Sequence, residues 1–127
     1  MLLSDHRAYP TIPAADMSRA KAWYRDKLGL EPAEEHPTGT IYRLAGGTAF
    51  QMYETQYAGT AKNTLMFFTS DNMSNDMKAL RDRGVKFEDY DMPGLKTENG
   101  MATMGQYHGA WFKDSEGNIL AIGDEPN

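Results

Sequence analysis

The spacing of apolar positions changes several times along the chain, and each change predicts an element. Residues 9–14, YPTIPA, read as an extended strand, with Pro10 and Pro13 excluding a regular central ladder at those two positions. Met17, Ala20, Trp23 or Tyr24, and Leu28 then recur at helical spacing behind a cap at Asp16 or Ser18. Gly29 follows as terminator, with Leu30 as the apolar residue closing on it. Three runs, about 32–36, 40–45 and 48–54, read as strands with turns at Gly39 and Gly46-Gly47.

The second half repeats this order. TLMFFT, residues 64–69, is apolar and β-prone. Asp71 can cap a helix carrying Met73, Met77 and Leu80 on one face, which Gly84 ends before Val85. Strands near 86–90, 101–113 and 118–122 complete the half, the last two joined by the turn Asp114-Ser115-Glu116-Gly117-Asn118. The stretch 91–100, DMPGLKTENG, reads as an inserted loop. Ile12 and Phe67, Asp16 and Asp71, Gly29 and Gly84, and Leu30 and Val85 all stand 55 residues apart. One offset aligning strand, cap and terminator marks an internal repeat. The chain therefore reads as α+β: two βαβββ modules in a pseudo-twofold arrangement, forming a cupped mixed sheet around a cavity. Residues 1–127 make one domain, with module 1 over about 5–55, a linker over about 56–63 and module 2 over about 64–124.

Composition narrows the function classes. The 127 residues contain no cysteine, which excludes disulfides, thiolate nucleophiles and Cys-ligated zinc and fits a cytoplasmic location. A net charge of −5 with scattered Lys and Arg argues against nucleic acid. No run approaches the roughly 20 apolar residues of a membrane span, and MLLSDHRAYP does not read as a signal peptide. No Gly-rich loop has phosphate-binding spacing.

Two segments carry a family resemblance. AADMSRAKAWYRDKLGLEP resembles the first-helix signature of the vicinal oxygen chelate superfamily, which includes glyoxalase I, bleomycin-resistance proteins and extradiol dioxygenases. WFKDSEGNILAI resembles the closing hairpin of the same superfamily, and the paired modules extend the resemblance over nearly the whole chain. The resemblance also implies where metal-dependent relatives carry ligands. A His about seven residues before each helix-capping Asp corresponds to Tyr9 and Thr64. A Glu three residues after the Gly-Asn of the closing turn corresponds to Ala121, and the remaining ligand to Phe50 or Gln51. None is an imidazole or carboxylate, so neither a metal nor another cofactor is expected.

What remains is acid–base and aromatic chemistry. His108, between Tyr107 and Trp111, and Tyr9 are the candidate catalytic groups, while His6 and His36 read as surface residues. Tyr42, Gln51, Tyr53, Thr64, Met66, Phe68, Met104, Tyr107 and Trp111 are the candidate ligand-binding residues. The expected function is that of a metal-independent homodimer sequestering an apolar or aromatic small molecule, as bleomycin-resistance proteins do. One alternative is a metal-free lyase or isomerase using Tyr9 or His108. Another is a metal enzyme with atypical ligands such as His108, Glu54 or Gln51.

Overall fold

A computed structural model describes residues 2–126. Two mixed sheets carry the same strand order. The first contains β1 (Thr11–Ala14), β2 (Glu34–His36), β3 (Gly39–Arg43) and β4 (Ala49–Glu54), ordered β1-β4-β3-β2. The second contains β5 (Thr64–Ser70), β6 (Asp91–Met92), β7 (Leu95–Glu98), β8 (Met101–Met104), β9 (Tyr107–Lys113) and β10 (Ile119–Asp124), ordered β5-β10-β9-β8-β7-β6. The first strand of each half pairs in parallel with the last, β1 with β4 and β5 with β10, as a pseudo-twofold repeat requires. Neither sheet closes into a barrel.

Helix α1 (Met17–Trp23) lies between the two sheets. Its Trp23 ring stacks on Phe112 of the second sheet, 6.4 Å between centroids. The adjacent Tyr24 packs against Tyr42 and Phe50 of the first, at 5.9 and 6.1 Å. Helix α2 (Met73–Asp82) buries Met73 and Met77. One core results, running from Ile12, Tyr42, Phe50 and Met52 through Tyr24 to Phe112, Leu120 and Ile122.

The repeat is real, but its offset is not constant. Asp16 caps α1 by accepting from the Arg19 N–H, whereas α2 is capped by Asn72, accepting from Asn75, and not by Asp71. The cap offset is thus 56, yet the left-handed terminators Gly29 and Gly84 remain 55 apart. The extra residue is housed in a π-helical turn, Tyr24–Leu28, at the end of the first helix. There the Leu30 N–H reaches back six residues to the Tyr24 carbonyl, while Val85 reaches back five to Leu80. The strands before the helices share the longer offset. Ile12 is buried, Phe67 is half exposed, and the residue on the same face as Ile12 is Phe68.

The second module differs from expectation in two further places. Segment 86–90 forms no strand: it touches β9 through a single Phe87–Phe112 bridge and a Glu88 N–H to Trp111 carbonyl bond. The stretch 91–100 is not an open loop. It folds as the β6–β7 hairpin, which extends the second sheet. The run 101–113 is two strands, β8 and β9, broken at Gly105, whose φ of 64° reverses the chain.

The turn after β9 fastens the halves together. Asp114 accepts from the N–H groups of Glu116 and Asn118 at 2.9 and 3.0 Å, shaping the turn. Its other oxygen accepts from the Tyr24 hydroxyl at 2.6 Å and Asn118 Nδ2 at 2.9 Å. Asn118 Nδ2 also donates to the Pro13 carbonyl at 2.7 Å. Glu116 Oε1 accepts the N–H groups of Ala15 and Asp16, both at 2.9 Å, where α1 begins. Arg19 Nε completes the grip on Oε2 at 2.9 Å. Burial alone would raise the Glu116 carboxyl, but the bonds from Arg19, the Asp16 N–H and Ser115 outweigh it and hold it at about 2. The linker comes close beneath: a Cβ on Gly59 would lie 2.4 Å from the Glu116 carbonyl oxygen.

Candidate ligand-binding face

Strand alternation divides each sheet into a core face and an opposite face. On the second sheet the opposite face carries Phe67, Ala121 and Trp111 in one row, set by the pairing of Ala121 with Phe67 on one side and Trp111 on the other. The next row is small: Gly123 pairs with Gly109, and Gly109 with Ala102. These glycines leave room for rings. A Cβ on Gly123 would stand 2.7 Å from Phe67 Cε1, and one on Gly109 would stand 3.6 Å from Trp111 Cη2 and 3.8 Å from Met104 Cε. Trp111 is fixed at both edges. Its indole N–H donates to Thr64 Oγ1 at 3.1 Å, and Tyr90 meets its ring edge-on at 5.7 Å. Phe67, Met104 and Tyr107 remain 50%, 48% and 37% exposed. The surface is therefore an apolar, aromatic platform built over glycine and alanine.

The corresponding face of the first sheet is polar. Arg43 Nη2 donates to Glu34 and lies 3.4 Å from the Tyr9 hydroxyl, while Glu34 also meets His36 Nε2 at 3.2 Å. Arg43, with Arg7, holds the exposed Tyr9 phenol below its usual value. Gln51 Nε2 donates to the Thr38 carbonyl at 3.2 Å, and Tyr53 stands exposed two residues further along β4.

The candidate residues thus separate. Thr64, Met104, Tyr107 and Trp111 share the aromatic platform, and Gln51, Tyr53 and Tyr9 the polar face of the other sheet. Tyr42, Met66 and Phe68 point the other way. Tyr42 is fully buried, and Met66 and Phe68 pack against the core. Burial pushes the Tyr42 phenol up to about 12. His108 also lies on the core-facing side of β9, at its edge. Its N–H and its Nδ1 both meet Asp124 Oδ2, at 2.7 and 2.8 Å, and hold that carboxyl below its usual value.

The sheet register places the positions that the resemblance assigns to metal ligands. Ala121 and Gln51 occupy equivalent rungs, Ala121 opposite Phe67 and Gln51 opposite Thr11. With Asn72 as the cap, the residue seven before it is Leu65, and Thr64 is engaged by Trp111. Tyr9, Gln51, Leu65 and Ala121 do not make a donor set for a divalent cation. Nor do three His, Asp or Glu side chains converge anywhere among the described residues. Gln51 and Glu54, three apart on β4, point to opposite faces.

Sequence reasoning missed Phe67, Tyr90 and Arg43. The signal for Phe67 lay in Gly123 and Gly109, two glycines inside β-prone runs, which mark close approach of another group.

The sequence model described as the Glyoxalase/Bleomycin resistance protein/Dioxygenase superfamily matches residues 5–122. No curated protein matches the chain. Among solved structures, UcmS2 is 18% identical with a TM-score of 0.73, covering 94% of this chain and 100% of its own. TnmS3, an antibiotic binding protein from Streptomyces sp. CB03234, is 16% identical with a TM-score of 0.64, over 96% of this chain and 98% of its own. A mutant of the fosfomycin resistance protein FosX from Listeria monocytogenes, complexed with Mn(II) and dihydroxypropylphosphonic acid, is 12% identical with a TM-score of 0.65, over 96% and 91%. At these identities the likeness is one of fold. No helix among the described residues is long and apolar enough to cross a membrane.

Proposed function

The chain belongs to the Glyoxalase/Bleomycin resistance protein/Dioxygenase superfamily, and on that footing we propose that it is a metal-independent binding protein that sequesters an apolar, aromatic small molecule. The observation that carries this reading is the platform of Phe67, Trp111, Tyr107 and Met104 over Gly109, Gly123 and Ala121. Ala121 matters most, because a carboxylate there would stand between two aromatic rings rather than among oxygen or nitrogen donors. A planar ligand gains apolar burial and ring stacking on this surface. A second copy of the chain covering the platform would complete the enclosure, and the exposure of Phe67 and Met104 supports that arrangement. Sedimentation with and without ligand checks it.

The test is a panel of planar aromatic antibiotics and metabolites, read by tryptophan quenching and by melting temperature. Saturable binding that falls about tenfold or more in Trp111→Ala is the expected result. A panel that neither quenches nor stabilises, or binding indifferent to Trp111→Ala, would sink the proposal.

The lowered Tyr9 phenol favours a second reading, in which Tyr9 serves as acid or base in a metal-free lyase or isomerase. Turnover of a bound compound would then fall at least about a hundredfold in Tyr9→Phe with its affinity retained. Unchanged turnover removes Tyr9 from any mechanism.

A further inference from the structure

A separate recess opens on the helix side of the second sheet, behind the aromatic platform. It encloses about 300 Å³ between the end of the first helix and α2, the lower end of the range for small-molecule sites. Leu28, Leu30, Leu44, Phe68, Leu80 and Phe112 form its walls. The first five pack on the core yet stay partly exposed, because the space between them is unfilled. Leu44 and Phe68 also wall a groove of about 700 Å³ along β5, so the apolar lining continues past the recess.

Two cations stand on the recess lining, Lys27 and Arg83. Each is held against the other helix's end. The Lys27 ammonium lies 2.9 Å from where a Gly84 Cβ would be, and Arg83 Nη1 donates to the Asp26 carbonyl at 3.3 Å. Among the described residues neither lies within ion-pair distance of a carboxylate, though both act on Asp26 at longer range and help to lower its carboxyl. Asp26 is held by Arg25 Nε at 2.9 Å, and Asp76, the acidic residue on the lining, accepts from Ser70 Oγ at 2.5 Å. The recess is thus hydrocarbon and aromatic on its walls, with positive charge grouped at the helix ends.

We propose that this recess binds a medium-chain monocarboxylate, its chain between Leu44, Phe68 and Leu80 and its carboxylate on Lys27 and Arg83. The walls favour hydrocarbon by burial of apolar area. The cations select an anionic head over a neutral one, because N⁺–H···O⁻ hydrogen bonds are the stronger kind. The recess itself shares no wall residue with the aromatic platform, which meets only the adjoining groove, at Phe67, and it does not depend on the platform's function.

Sodium decanoate and 1-decanol are titrated calorimetrically into wild type, Leu44→Trp and Arg83→Glu, with amide chemical shifts mapping the bound site. Decanoate is expected to bind one per chain with a Kd on the order of tens of micromolar. Arg83→Glu, checked for folding by circular dichroism because Arg83 also bonds the Asp26 carbonyl, weakens it about tenfold, as does replacing decanoate by decanol. Leu44→Trp, checked for folding by circular dichroism, fills the recess and abolishes binding. The proposal is overturned by the absence of saturable decanoate binding below about 1 mM. It is equally overturned by decanol binding as tightly as decanoate, or by shifts confined to Phe67 and Trp111.

Discussion

Replacing Glu116 by Gln tests the fastening between the halves directly. The side chain is almost wholly buried and receives two backbone N–H groups, the Nε and Nη2 donors of Arg19 and the Ser115 hydroxyl. Lowering its carboxyl from 4.5 to about 2 corresponds to about 3 kcal/mol of preference for the charged form in the folded state. Gln keeps the shape but loses the charge and turns an amide N–H₂ toward the Arg19 guanidinium. The expected cost is about 2–3 kcal/mol at neutral pH, or on the order of 10 °C in Tm for a domain of this size. The pH dependence identifies the cause. Because the folded carboxyl titrates lower than the unfolded one, its stabilisation is fully present above about 4.5 and is lost as the pH falls towards about 2. Wild type and Glu116→Gln should therefore differ by a constant amount from neutral pH down to about 5, by progressively less below that, and converge only as the pH approaches about 2. Urea titrations followed by tryptophan fluorescence at several pH values measure this. A loss under about 0.5 kcal/mol, or one that does not shrink in acid, would refute the reasoning.

Two smaller changes probe the core and the platform. Among the described residues, the Tyr42 hydroxyl is the buried side-chain polar atom without a hydrogen-bond partner, so Tyr42→Phe should be neutral or stabilise by up to about 1 kcal/mol in thermal melts. A loss greater than that would mean the hydroxyl has a partner in solution. Gly123→Ala places a methyl group 2.7 Å from Phe67 Cε1 and 3.0 Å from the His108 carbonyl oxygen. It should cost about 1–3 kcal/mol and weaken any ligand held on the platform. Full affinity and stability in that variant would show that Phe67 does not need the space.

Local chemistry wrote most of the elements into the sequence. Asp16 caps its helix because a short acceptor side chain can reach the Arg19 N–H. Gly29 and Gly84 end theirs at φ of 69° and 90°, where other residues are strained. The turn at 114–118 follows from the same local preferences. The 91–98 hairpin escaped because a run of turn formers does not reveal that a neighbouring strand will pair with it.

The site was less legible, because it depends on single-residue register. A π turn inside the first helix absorbs one residue, which no local preference in YRDKL announces. That residue moves the repeat from 56 to 55, and a one-place slip in a strand exchanges its two faces. Phe68 therefore goes to the core and Phe67 to the platform, and Leu65 rather than Thr64 takes the position seven before the cap. The sequence by itself determined the helices, most of the strands, their repeat and the lack of imidazole or carboxylate at the positions the resemblance assigns to metal ligands, since these follow from residue identity and near neighbours. Only the tertiary structure decided which rings share a face, that Glu116 fastens the closing turn to the start of α1, and that a recess with two cations lies between the helix ends. Those depend on residues some 50 to 100 positions apart meeting in space, with the closing turn bonded to Ala15 and Asp16 across 101 and 100 residues.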